Sequence, residues 1–174
     1  MFYNYVIDSP PFHSHFPAEK DPDMTTRTTR TLSVQGAEIA LKRTKLADYI
    51  SLTDIARARD AEHADDLVRD WLKNRNTVEY LGIWETLQNP NFDVPEFDAI
   101  RAKAGLNSFS LSPRQWIQRT GAIGLIVQTG QRAGAFAHPD IAFEFASWLS
   151  VEFKLYLTKE FQRLRLEADE DQTL

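Results

Sequence analysis

At 174 residues, 43% hydrophobic and 26% charged, the chain reads as one globular, soluble domain and is short for two. The absence of cysteine excludes a disulfide framework, a thiolate zinc site and a cysteine nucleophile. No run approaches a membrane span, and the opening residues do not read as a secretory signal, so the expected location is cytoplasmic. A net charge of −5 speaks against a nucleic-acid partner, but its distribution speaks for one. Residues 76–98 hold five acids and no base, whereas residues 99–139 hold Arg101, Lys103, Arg114, Arg119 and Arg132 with no acid. Charge segregated in this way creates a local positive field on an acidic molecule.

Residues 1–23 carry four of the eight prolines and no periodicity, and read with the next few residues (1–31) as a flexible extension. Met24 is the expected natural start, and His13 and His15 lack the further ligands of a metal site. Val34–Leu41 reads as strand, tight turn and strand, and Tyr49–Leu52 as another short strand. Ser51 or Thr53 then caps a short helix. Leu67, Val68, Trp71 and Leu72 make one apolar helical face, with Asp65 and Asp66 before it and Lys73 and Arg75 after. Asn76-Thr77-Val78-Glu79 resembles a capping box opening a helix that carries Leu81, Trp84 and Leu87 and ends at Asn89-Pro90-Asn91.

Pro95–Ala104 is the next predicted helix, with Phe97, Ile100 and Ala104 inward and Gly105 as its stop. Ser112-Pro113 opens another, ending near Thr120-Gly121. Trp116 and Ile117 form its inner face, and Arg114, Gln115, Gln118 and Arg119 an outer face without an acid. A strand-like run, Ile123–Gln128, then meets a turn with glycine at both ends, Gly130 and Gly134, where the backbone is expected to need positive φ. Gln131 and Arg132 stand at its tip, and Ala135-Phe136-Ala137 is the returning strand. His138-Pro139-Asp140 opens a helix burying Ile141, Ala142, Phe145, Ala146 and Leu149. The last helix, Val151 to about Leu166, shows a stripe of Phe153, Leu157, Phe161 and Leu164, and the acidic tail (167–174) is expected to fray.

A helix with a basic outer face followed by a basic-tipped hairpin suggests a winged-helix type of reader. Arg can donate two hydrogen bonds to guanine and Gln can pair bidentately with adenine, so this face suits both base readout and phosphate neutralisation. Enzymatic patterns are missing: there is no phosphate loop, and His138 and Asp140 read as a hairpin-exit hydrogen bond and a first-turn helix acid. No catalytic residue, metal or cofactor is expected.

Tyr49–Ala56, Asn76–Glu85, Leu111–Ile117, Ala137–Ala142 and Phe145–Ser150 together resemble, in order, the motifs of KilA-N domains over roughly Leu32–Leu166. The resemblance implies an α+β, compact, winged-helix-like DNA-binding domain similar to the fungal APSES domains, found in phages, prophages and large DNA viruses, with no enzymatic activity. At the hairpin tip Gln131 matches the family's usual arginine, and Arg132 stands one place further on. Two readings stay open. In one, a phage or prophage regulator binds double-stranded DNA through Arg114, Gln115, Gln118, Arg119, Gln131 and Arg132, with Arg101 and Lys103, and more weakly Lys42, Arg43 and Lys45, for phosphate. In the other, the fold is kept as an adaptor or antirepressor that binds host or phage regulatory proteins.

Overall fold

A computed structural model describes residues 30–173; the extension and the His13/His15 pair lie outside them. Five antiparallel strands form one sheet in the order β1-β2-β3-β5-β4, where β1 is Thr31–Val34, β2 Ala37–Arg43, β3 Asp48–Ser51, β4 Leu125–Gln128 and β5 Gly134–Ala137. The tight turn between β1 and β2 is Gln35-Gly36, both at positive φ (50° and 82°), the geometry that matches a two-residue hairpin to strand twist.

Strand alternation builds the core. Leu41, Ile50, Ala137 and Leu125 pair across four strands and are all buried, forming one continuous apolar row on the helix-covered face. Onto that face pack α1 (Leu52–Arg59) and α6 (Pro139–Leu149), while α7 (Val151–Asp171) lies against β1 and α6. The remaining helices form a second layer: α2 (Ala64–Lys73), α3 (Arg75–Gln88), α4 (Val94–Lys103) and α5 (Pro113–Thr120). Gly82 lets α3 and α4 approach, since a Cβ there would run into the Phe97 ring.

Several boundaries differ from the sequence expectation. Helix α3 starts at Arg75, with Asn74 as N-cap and no side-chain cap hydrogen bond, so the anticipated capping box at Asn76–Glu79 does not form. The reason is that the preceding helix ends at Lys73 and Asn74 is shared by both, leaving Asn76 already inside the turn. Leu87 is 76% exposed, because no neighbouring element covers the last turn of α3 on that side. Helix α7 continues through Glu167–Asp171 instead of fraying, with Arg163 bridging Glu160 and Glu167 along one face. Gly134 has no positive φ and sits within β5; its small size matters instead, since a Cβ would come within 2.9 Å of Thr53 Oγ1.

Candidate nucleic-acid interface

Helix α5 is fixed at both ends. Ser112 Oγ accepts from the Gln115 backbone N–H (3.2 Å) and Gln115 Oε1 accepts from the Ser112 N–H (2.9 Å), completing a capping box with Pro113 in the first turn. Gly121 closes it in the left-handed conformation at φ 67°. Trp116, fully buried, anchors the inner face against Phe92 and Phe97. Arg114, Gln115, Gln118 and Arg119 consequently point to solvent.

The connector between α5 and β4 is held by a buried carboxylate. Glu85 accepts hydrogen bonds from the backbone N–H groups of Ile123 (3.0 Å) and Gly124 (2.7 Å) and from Asn89 Nδ2 (3.0 Å). Burial pushes its pKa up, and these donors pull it partly back. Tyr49 donates its hydroxyl to Ile123 O (2.8 Å); burial first, then the nearby Glu85 charge, pushes its pKa up to about 12. Gly124 has no room for a side chain, since a Cβ would meet Ile141, Trp84 and Glu85. His138 Nδ1 accepts from the Asp140 N–H and caps α6, so the neutral ring carries its proton on Nε2. Burial lowers the His138 pKa against the opposing charge of Asp140, which also accepts from Trp84 Nε1 (3.0 Å).

The β4–β5 hairpin is clamped from beneath: Thr53 Oγ1 accepts from the Ala135 N–H (3.0 Å). Its tip bends at Gly130, φ 93°, and leaves Gln131 and Arg132 exposed. A groove opens on each side of the hairpin. One, of about 370 Å³, is walled by the start of α5 (Ser112, Pro113, Arg114), by Arg69 on α2 and by the hairpin strands. The other, of about 1130 Å³, lies between β2, α1 and the hairpin tip and includes Gln131 and Arg132. The family model of the KilA-N domain matches residues 32–166. The chain belongs to the KilA-N domain family, a family of DNA-binding domains. No curated protein and no solved structure matches it.

Within this KilA-N domain the side chains expected to meet DNA divide into four groups. Arg114 lines the smaller groove beside the hairpin, whereas Gln131 and Arg132 line the larger one. Gln118 is exposed on α5, and Gln115 is exposed too, but its carbonyl is committed to the cap. Arg119 donates from Nε to Glu96 on α4 (2.6 Å), and Arg101 pairs with Asp98 (2.8 Å) while stacking over the Phe97 ring. Lys103 ends α4, exposed and without an ion pair among the described residues. The acid-free stretch is therefore not an acid-free surface, because Glu96 and Asp98 just before it fold back against its cations.

Sequence reasoning missed Glu85 and Thr53 in this KilA-N domain. A signal for Glu85 existed: with Val78 and Leu81 it stands at i, i+3, i+7, an acid on the buried stripe of α3. Thr53 had none, since it meets Ala135 across 82 residues. Among the described residues no group of three or more His, Asp or Glu could hold a metal ion, and no helix is long and apolar enough to cross a membrane.

Proposed function

We propose that this KilA-N domain is a DNA-binding regulator of phage or prophage origin, acting at the nucleoid in the bacterial cytoplasm without catalysis or a cofactor. Duplex DNA lies across α5 and the β4–β5 hairpin in the manner of a winged helix. Arg114 and Gln118 read base edges, Gln131 and Arg132 enter beside the backbone at the hairpin tip, and Lys103 neutralises phosphate. Arg119, Arg101 and Gln115, engaged by Glu96, Asp98 and the Ser112 cap, orient more than they read. The observation that carries the proposal is the shared groove between Arg114 at the start of α5 and the hairpin strands, which puts a guanidinium beside a protruding two-stranded ribbon.

The test is a fluorescence-anisotropy titration of random and source-genome duplexes over a range of salt. Binding that weakens steeply as salt rises, with a slope set by released counterions, is the expected result. Failure to bind any duplex at low salt would sink the proposal. A second reading, as an adaptor for host or phage regulatory proteins, then takes its place. It is favoured by the exposed apolar side chains Trp148, Val151, Leu155 and Tyr156 at the corner between α6 and α7.

A further inference from the structure

The larger groove lies beside the hairpin tip and extends to β2. Register defines its floor: Lys42 pairs with Tyr49 on one side of the sheet, and Ser51, Phe136 and Ile126 continue that side across β3, β5 and β4. Asp54 and Arg57 of α1 form one of the groove's walls. The sheet curls enough that Lys42 Nζ on β2 reaches Gln128 Oε1 on β4 (3.0 Å), although β3 and β5 lie between them in the strand order. A concave, curled sheet thus has a polar bridge across its mouth.

The lining is cationic. Arg30, Lys42, Arg43, Arg57 and Arg132 face two acids, Glu38 and Asp54. Some of that charge is spent internally: Asp48, beside the groove, pairs with both Arg30 and Arg43, and Asp54 pairs with Arg57 while accepting from the Ala40 N–H (2.9 Å). Lys42 and Arg132 form no ion pair among the described residues. With its carbonyl taken by Lys42, Gln128 has its amide N–H groups left to donate. The mouth beside the hairpin tip therefore presents donors and positive charge, the chemistry that holds a phosphodiester.

We infer that this sheet-side groove seats one sugar–phosphate backbone of the duplex, with Lys42 as its central contact, while Arg114 and Arg69 face the backbone on the other side of the hairpin. The inference rests on the DNA-binding reading and adds to it a surface remote from α5. The hairpin tip then lies between two strands. On the smaller side Asp65 stands beside Arg114 and Arg69, and Arg69 pairs with Asp66, so the larger groove is the more cationic. Lys42, Arg57 and Arg30 come from β2, α1 and the segment before β1, far from the stretch that the charge pattern singles out.

The experiment uses the full chain and anisotropy titrations of a random-sequence duplex at several salt concentrations. Lys42→Ala is expected to weaken binding several-fold for every sequence and to lower the salt slope by about one. Lys42→Arg is expected to restore both. Glu38→Gln, an exposed site where folding is not at stake, is expected to tighten binding and so to move in the opposite direction. Wild-type binding that neither Lys42→Ala nor Glu38→Gln alters would overturn the groove assignment and leave the DNA reading standing. Absence of wild-type binding at low salt would remove both.

Discussion

A carboxylate without exposed surface is costly unless its oxygens are hydrogen-bonded, and Glu85 meets that condition with backbone donors that set the path of the chain into β4. Replacing it with alanine strands the Ile123 and Gly124 N–H groups in a dry site. The expected loss is about 3 kcal/mol in urea denaturation. Its titration has a definite sign. Because burial raises the folded pKa above the unfolded one, the stabilising contribution is full below the unfolded carboxylate range and is lost as pH rises through the raised folded value. Wild type should therefore gain stability relative to Glu85→Gln as pH falls from neutral toward the ordinary carboxylate range. Asp60 and Glu160, whose partners His63 and Arg163 lower their pKa values, have the opposite sign but are common to both proteins and cancel from the difference.

In the proposed DNA-binding reading the hairpin is the central element, and its attachment is narrow. β5 pairs with β3 over only two residue pairs, Ile50 with Ala137 and Ser51 with Phe136, so the outer part of the ribbon depends on the Thr53 hydroxyl. Thr53→Val keeps the shape and removes the acceptor for the Ala135 N–H. Amide exchange at Ala135 should quicken and duplex affinity should fall, with helices α3 and α4 keeping their protection. Equal exchange in variant and wild type would show that the strand pairing alone holds the ribbon. Helix α5 is better secured, with a capping box, a left-handed Gly121 and the buried Trp116 acting together. Its side chains are thus presented from a rigid support, as specific contact requires.

Across the whole molecule, an acidic total coexists with cations gathered around one ribbon. Screening acts over about 10 Å at 0.1 M salt, so a duplex close to the ribbon feels its cations more than the distant acids. Base readers and phosphate contacts then separate by experiment. Arg114→Ala is expected to reduce discrimination between sequences by about 1–3 kcal/mol, whereas Lys103→Ala should weaken all sequences alike; competition titrations with a selected and a random duplex measure both. Sequence-blind losses from both variants would make α5 a backbone contact only.

Local chemistry was enough to locate most elements of this chain, though not the start of α3 or the end of α7. The Gln35-Gly36 turn, the Ser112-Pro113 start, the Gly121 stop and the His138 exit all depend on residues within a few positions of one another, so their physics can be read along the chain. The ordered family motifs over residues 32–166 were legible for the same reason. Tertiary structure alone decided which charges remain free. Arg119 meets Glu96 across 23 residues, Lys42 meets Gln128 across 86, and Thr53 meets Ala135 across 82. Coulomb and hydrogen-bond energies depend on distance in space, and chain separation sets that distance only within a helix turn or a hairpin.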